Sequence, residues 1–394
     1  MQKIKNIEFL RCILMFGIVM LHVCLTHKWS FDCLFTDIPL YQLLHSCFKY
    51  ANLGVEGFFI IAGFLFFVTF KNSHKFKDFV LKKYIRLSPV IIFSMLIAIV
   101  GWLLGTLHFK FIPNLLTIFL LNNFFYCWSG SSNVVLWFTS ALFSGLILYF
   151  CILKFLPKNI KRFMIILLVV ASYGITLYFQ GGRFFKPCTN YYIFNAGFLR
   201  AVGGLGVGCL IADIFKFNIE KIQLWQPKLW HKICINFLEI ILFIFVIYWL
   251  FIPHITINPM LFVILFSILF FLFICKKTFL ANITDNDIWV FLGKYQFSIY
   301  CVHFIVNKIL NLALWKHFTT FVYSYPIIPL LFNLGIIIFV GVFAYHCVEE
   351  PCAKYLKQKL FNNSKTLVNT DISGGVTVEC FNFSRFGLCS YCPA

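Results

Sequence analysis

Charged residues are scarce in this sequence. Asp, Glu, Lys and Arg make up 12% of the 394 residues, while 61% are apolar. A soluble domain is nearer one quarter charged and about one half apolar, so the composition excludes an ordinary soluble globular protein. The apolar residues come in runs of about 18 to 21, and a helix of that length crosses a bilayer. The sequence therefore predicts an all-α polytopic membrane protein.

No polar stretch between these runs is long enough for a large soluble domain. The first run also lacks a small-x-small cleavage site near its end, and another apolar segment follows it, so we interpret it as a retained helix rather than a signal peptide. We predict one transmembrane domain over residues 1–360 and a short, weakly ordered cytoplasmic tail over 361–394. About ten transmembrane helices are expected, at residues 8–26, 52–70, 88–108, 134–156, 163–180, 196–213, 233–251, 259–275, 297–314 and 327–347.

Acidic residues are the scarcest charged class, with 14 Asp and Glu against 33 Lys and Arg. When the loops are assigned alternately to two sides, 24 of the basic residues fall on the side of both termini and 6 on the other. This bias predicts that both termini are cytoplasmic. The apolar segment 111–126 would invert the later loops if it crossed the membrane, so we predict an interfacial or re-entrant piece on the outer side. Because the basic residues are dispersed over several loops, we expect no nucleic-acid partner.

Two further motifs have simple structural interpretations. The 16 Cys lie mostly in apolar spans, where a small hydrophobic residue is the ordinary interpretation. Cys389-x-x-Cys392 with Cys380 offers only three thiols of a zinc set, so no metal is expected. The glycine-rich stretch 203–208 lies within a span rather than after a strand, which favours close helix packing over a nucleotide-binding loop.

The first span contains both an arginine and a histidine, which are costly in a membrane and mark candidate functional sites. Arg11 and His22 are eleven residues apart. Eleven residues at 100° each make about three turns, so both side chains lie on one face of the helix, roughly 16 Å apart along its axis.

Counting residues from the ends of the predicted spans divides the other intramembrane polar residues into two layers. The inner layer lies nearer the cytoplasmic surface, and the outer layer lies nearer the opposite surface. The outer layer includes a histidine and a carboxylate. The inner layer contains Arg11, Arg86, His303, Glu349 and Glu350, and the outer layer contains His22, Glu56, Trp137 and Arg200.

Each of these residues also has a purely structural interpretation. An arginine near a helix end, such as Arg86, can extend to the membrane surface. His303 can be a packing residue, and Glu56 can form a structural bridge with Arg200. Trp137 can belong to the interfacial aromatic belt.

At this point the sequence resembles the acyltransferase-3 family of membrane O-acyltransferases. Arg11-x10-His22 is similar to the signature of its first helix, and five further motifs follow in the family's order over residues 5 to about 358. Ala62 departs from the serine that the family commonly has at that position. The five motifs are residues 54–64 (GVEGFFIIAGF), 86–89 (RLSP), 136–138 (LWF), 298–303 (SIYCVH) and 348–351 (VEEP).

The resemblance implies transfer of an acyl group, most often acetyl, from a cytosolic acyl-CoA to a hydroxyl of a cell-surface or lipid-linked glycan. It implies a multi-pass protein of the bacterial cytoplasmic (inner) membrane, whose partners are the bilayer, acetyl-CoA or another acyl-CoA, and the glycan acceptor. Because coenzyme A is strongly anionic and arginine binds phosphate bidentately, Arg11 and Arg86, with the nearby Lys82 and Lys83, are predicted to bind the donor. Tyr300 and His303 are assigned to the same donor site.

His22 is the predicted general base, because a histidine has a near-neutral pKa and can accept the hydroxyl proton on one ring nitrogen. Glu56 is the carboxylate expected to orient it, as in a catalytic triad without the serine. Trp137 and Arg200 are predicted to bind the acceptor.

Two other functions are compatible with charges buried in a membrane. One is a transporter of a glycan or small anion without chemistry, although the sequence has no pair of interrupted helices in corresponding halves. The other is a non-enzymatic membrane component of a glycan-assembly complex. Labelled acetyl-CoA separates these alternatives, because only the acyltransferase moves the label into glycan.

Overall fold

The computed structural model describes residues 5–29, 37–124, 131–181, 189–191, 194–251 and 258–361. Almost all of this part of the chain is helical. The predicted tail after Phe361, including its three cysteines, lies outside the described residues. In chain order the α-helices are α1 (Lys5–Trp29), α2 (Pro39–Phe48), α3 (Gly54–Thr69), α4 (Phe76–Leu103), α5 (Phe111–Ile118), α6 (Trp137–Phe155), α7 (Lys158–Phe179), α8 (Ala196–Leu224), α9 (Leu229–Phe251), α10 (Pro259–Cys275), α11 (Phe279–Ile283), α12 (Asp287–Gly293), α13 (Gln296–Ala313), α14 (Thr319–Ser324), α15 (Ile327–Ala344) and α16 (Glu350–Phe361).

Short irregular elements connect these helices. Two two-residue strands, β1 (Asn190–Tyr191) and β2 (Phe194–Asn195), pair antiparallel just before α8. A 3₁₀ turn precedes α3, another precedes α6, and a third follows α13. A π-helix, Tyr345–Glu349, joins α15 to α16.

The predicted all-α membrane fold is confirmed. Within the described residues, nine helical segments are long and apolar enough to cross a membrane. The remaining predicted span, 259–275, coincides with α10, which is strongly apolar but has only 17 residues. Which end of the bundle faces the cytoplasm stays a prediction.

One predicted span begins too late. The sequence places Arg86 at the mouth of a helix beginning near Pro89, but α4 begins at Phe76 and continues through that proline. The first three turns of α4 are rich in lysine, so their low hydropathy hides them from a search for apolar runs. Arg86 is therefore held on a helix, ten residues from its first residue.

The apolar segment 111–126 does not cross the bundle. Its helix, α5, has eight residues and is about 12 Å long, too short for a bilayer. Buried hydrogen bonds tie the chain that follows to the bundle, because Asn133 Nδ2 donates to Ser94 Oγ (2.7 Å) and to the carbonyl of Cys301 (2.8 Å). The residues before α6 are thereby fixed against α13.

Loops that the charge count assigns to the same side of the membrane contact each other. On the basic side, Lys154 Nζ donates to the carbonyl of Asn72 and joins two of the basic loops. On the opposite side, Tyr323 Oη donates to Asp37 Oδ1 (2.6 Å). These contacts agree with the grouping of the loops into two sets.

The backbones of α3 and α8 are in direct contact through glycines. A β-carbon on Gly63 would overlap the carbonyl oxygen of Leu205, and one on Gly208 would overlap the carbonyl oxygen of Ile60. Small residues allow this kind of approach between membrane helices. The packing interpretation of the glycine-rich stretch therefore agrees with the structure.

We expect Gly63→Ala to destabilise the protein by about 1–3 kcal/mol or more, because the added methyl group has no space and the two backbones must separate. The matched control is Gly174→Ala in α7, where a β-carbon would meet nothing within 4 Å. That control should be neutral or slightly stabilising, since alanine favours helix by about 1 kcal/mol over glycine. The measurement is thermal unfolding in detergent, and equal melting temperatures for the two variants would contradict the close contact.

Candidate active site

A cavity of about 530 Å³ lies between α1, α3, α4, α6, α13 and the π-helix. On α1 its wall is formed by Glu8, Arg11, Met15 and Ile18. These residues are spaced by three or four positions, so they form one stripe of the helix. His22 is the next position of the same stripe, one turn beyond Ile18.

The end of the cavity nearest the N-terminus is charged. Four cations and two acids line it, which gives a net charge of about +2 before any ligand binds. The exposed Lys82 does not contribute to the wall. The cations are Arg11, Lys83, Arg86 and Lys294, and the acids are Glu8 and Glu349.

Arg11 is not a lone cation. Its Nη1 lies 2.9 Å from each carboxylate oxygen of Glu8, which is itself buried. Residues three apart on a helix are neighbours, so the spacing of Glu8 and Arg11 in the sequence is itself a signal for this pair. The pair fixes the Arg11 guanidinium at the cavity wall, and the other three cations supply the excess positive charge.

The opposite end of the cavity is apolar and aromatic. Ile18, Val55, Phe58 and Phe138 line it together with Tyr300, whose hydroxyl donates to the carbonyl of Val135 (2.6 Å). The cavity therefore changes from a cationic mouth to an apolar end along the helix axes. Arg11, Arg86 and Tyr300, which are among the residues predicted to bind the donor, lie on its wall.

Ala62, where the resemblance leads one to expect serine, also lies on this wall. A hydroxyl is therefore missing from a surface that contacts the cavity, and the wall is more apolar than a serine would make it. The departure changes the surface of the cavity as well as the packing of the helix.

Beyond the apolar end lie two histidines in contact. His303 Nε2 is 3.1 Å from His22 Nδ1, and the ring centroids are 5.1 Å apart. His22 is partly exposed, whereas His303 is fully buried. The Tyr300 and His303 rings are neighbours, with centroids 5.5 Å apart, so Tyr300 lies between the cavity and the histidine pair.

This contact contradicts the predicted depth of His303, which placed it in the layer opposite to His22. The prediction takes depth from the ends of the predicted spans, which is valid only if all helices begin in one plane. They do not, because Gln296 at the start of α13 donates to Cys12 Sγ (2.8 Å), which lies two turns into α1. His303 consequently reaches the level of His22.

Glu56 does not orient His22 in this structure. Its Oε1 accepts from Arg200 Nε at 2.5 Å, and its Oε2 accepts from Tyr173 Oη at 3.1 Å. The carboxylate and the guanidinium are both completely buried. The alternative of a structural Glu56–Arg200 bridge is the one that the geometry supports, and the sequence held no signal for Tyr173.

Trp137 and Arg200, the residues predicted to bind the acceptor, are in contact with each other. The guanidinium carbon of Arg200 lies 5.3 Å from the centre of the indole ring, a cation–π distance. Trp137 is largely buried and is held at the first residue of α6, where its carbonyl accepts from Asn123 Nδ2 (2.6 Å). Neither side chain lines the cavity described above.

Two late motifs meet at the mouth of the cavity. Ser298 Oγ donates to Glu349 Oε2 at 2.5 Å. Glu349 and Tyr345, at the two ends of the π-helix, both line the cavity. A π-helix is rare and often occurs at functional sites. Lys294 and Tyr345 were not identified from the sequence, because neither lies in a recognised motif.

The sequence matches the family model described as "Acyltransferase domain" over residues 4–348. This range contains both histidines and the four cations at the cavity mouth. No curated protein and no solved structure matches the chain.

We expect Glu56→Gln to lower stability strongly, by about 3–5 kcal/mol, because it leaves the buried Arg200 guanidinium without its counter-ion. Glu350→Gln is the matched control, since Glu350 pairs with Lys354 at an exposed site where an ion pair contributes little. Thermal unfolding in detergent compares the two variants. A Glu56→Gln protein with the melting temperature of the unmodified chain would contradict a structural role for the buried pair.

Proposed function

Because the chain belongs to the acyltransferase-3 family and is a membrane acyltransferase, we propose that it transfers an acyl group from cytosolic acyl-CoA to a hydroxyl of a cell-surface or lipid-linked glycan. Acetyl-CoA is the proposed donor. The observation that carries the proposal is the cavity, which joins a cationic mouth to an apolar end one turn from His22. The bacterial inner membrane is the proposed location.

The cationic mouth suits the phosphates of coenzyme A. Arg11, Arg86, Lys83 and Lys294 come from two helices and a connecting segment and line the same opening. Guanidinium groups bind phosphate oxygens bidentately, and the lysines add point charges. The mouth lies toward the N-terminal end of α1, the side that the charge count assigns to the cytoplasm, where acyl-CoA is made.

The depth of the cavity suits the slender arm of coenzyme A. From Arg11 its wall follows α1 to Ile18, about 10 Å along the helix axis, and His22 lies about 16 Å from Arg11. With phosphates at Arg11, the thioester would lie at the apolar end, beside Tyr300 and within a turn of His22. A dry, apolar end also protects the thioester from water.

In the proposed reaction His22 is the general base. Its ring takes the proton of the acceptor hydroxyl while that oxygen attacks the thioester carbonyl carbon. The tetrahedral intermediate then collapses, the carbon–sulfur bond breaks, and the thiolate of coenzyme A leaves and takes the proton from His22. The products are the O-acyl glycan and coenzyme A, and no nucleophile of the protein is needed.

Acceptor binding is proposed for the opposite side of the histidine pair. Trp137 can stack on the face of a sugar ring, and the contact with Arg200 fixes the orientation of its indole ring. Both residues lie close to the outer end of the bundle in the proposed orientation. Binding the donor and the acceptor from opposite sides would bring the thioester and the hydroxyl together at His22.

We expect Arg86→Gln to weaken acetyl-CoA binding about tenfold, the loss of one charge-assisted contact of about 1.4 kcal/mol. Arg86 is exposed, so the substitution should leave folding unchanged. Arg162→Gln is the matched control, because Arg162 pairs with Asp213 away from the cavity. Calorimetric titration with acetyl-CoA gives the affinities, and equal affinities for both variants would contradict phosphate binding at this mouth.

His22→Ala should reduce acyl transfer by at least about 100-fold while leaving acetyl-CoA binding intact. The exposed His231 provides the control variant, His231→Ala. Transfer is measured as label moved from acetyl-CoA into glycan by membranes, and mass spectrometry of the surface polysaccharide identifies the product. Full activity of a well-expressed His22→Ala protein would refute the assignment of the base.

A further inference from the structure

We infer that His303 is a positioning residue that fixes the tautomer of His22, with Nδ1 of His22 as the proton donor and Nε2 as the basic nitrogen. This inference rests on the proposed acyl transfer for its function but not for its geometry. His303 thereby becomes the partner of His22 in place of Glu56. It is no longer assigned to the coenzyme A site.

The tautomer of His303 follows from a hydrogen bond of its ring to the backbone. Its Nδ1 lies 2.5 Å from the carbonyl oxygen of Tyr300. A carbonyl oxygen only accepts hydrogen bonds, so Nδ1 must carry a proton. His303 is completely buried, and a buried imidazolium without a counter-ion is costly. A neutral imidazole has one N–H, so Nε2 of His303 has a lone pair and accepts.

The tautomer of His22 follows from that of His303. The acceptor Nε2 of His303 lies 3.1 Å from Nδ1 of His22. Two lone pairs at this distance would repel, so His22 Nδ1 must donate its hydrogen. Neutral His22 therefore carries its lone pair on Nε2.

His22 and His303 differ in how far they are buried. His22 is partly exposed and lies one turn beyond Ile18 of the cavity wall, while His303 has no exposed surface. Only His22 can meet a substrate hydroxyl. When His22 accepts a proton, its Nδ1–H stays bonded to His303, whose lone pair stabilises the imidazolium. A triad carboxylate has the same two tasks, and here a neutral nitrogen performs them.

Buried hydrogen bonds hold the part of α13 that carries His303. The helix around it is held at Cys301, whose carbonyl accepts from Asn133 and Ser94. Further along, Asn333 Nδ2 donates to Asn307 Oδ1 (2.9 Å) and ties α13 to α15. These buried bonds fix the height and rotation of α13, so the His303 ring is presented to His22 in one position.

The direct test is ¹⁵N NMR of the full chain in detergent, with labelled histidine. The ring ¹⁵N shifts distinguish the Nδ1–H tautomer from the Nε2–H tautomer, and His22 signals are identified by their loss in His22→Gln. We expect Nδ1–H for both His22 and His303. An Nε2–H tautomer at His22 would overturn the inference, whether or not the protein turns over acetyl-CoA.

The kinetic test compares His303→Leu with His303→Gln. Leucine fills the space but accepts no hydrogen bond from His22 Nδ1, so kcat should fall about 100-fold while KM for acetyl-CoA is unchanged. Glutamine has one acceptor and one donor end, like neutral histidine, and should restore about tenfold of that loss.

Equal kcat values for these two variants, or a fall in acetyl-CoA affinity with kcat unchanged, would overturn the positioning role. Calorimetric titration with acetyl-CoA and thermal unfolding of both variants accompany the kinetics, so that a folding defect is seen as such. If the unmodified chain consumes no acetyl-CoA at all, the proposed function fails, while the ¹⁵N result still decides the tautomer.

Discussion

The direct contact of the α3 and α8 backbones is the constraint on which the site depends. It exists only because Gly63 and Gly208 have no side chains. At this separation Glu56 of α3 meets Arg200 of α8, and Tyr173 of α7 closes the cluster. The same α3 forms one wall of the cavity, so the glycine contact and the buried ion pair together fix that wall. Wider spacing of these helices would leave two charges uncompensated in a medium that cannot solvate them.

The membrane explains how the remaining polar groups are arranged. The cations that need water or phosphate lie at the mouth, where both can reach them. Glu56 and Arg200, which lie deep in the bundle, are paired and lie off the cavity wall. His22 and His303 lie beyond the apolar end of the cavity, and both rings can be neutral before any proton is transferred. A proton can be taken up there during a reaction without a permanent ion in the apolar interior, which would be far more costly.

The sequence was sufficient for features that depend on local composition. Apolar runs located the spans, and Arg11 and Arg86 lie on the wall of one cavity, because charges at the ends of neighbouring helices meet at one surface. Partnerships deep in the bundle were not predictable. A residue's depth says nothing about which way its helix face turns, so Glu56 was matched to His22 although it turns toward Arg200. The deeper start of α13 at Gln296 is likewise a tertiary feature with no signal in its own residues.

Helix α13 connects the parts of the site. Its first turn contacts the mouth through the hydrogen bond from Ser298 to Glu349, its middle supplies Tyr300 to the apolar end, and the next turn places His303 against His22. A rigid helix cannot move one of these groups without moving the others. Any displacement of α13 by a ligand at the mouth would therefore change the distance between His303 and His22. Under the proposed function, donor binding and the geometry of the base would be coupled through this one helix, which the bonds of Asn133 to Cys301 and Ser94 hold in place.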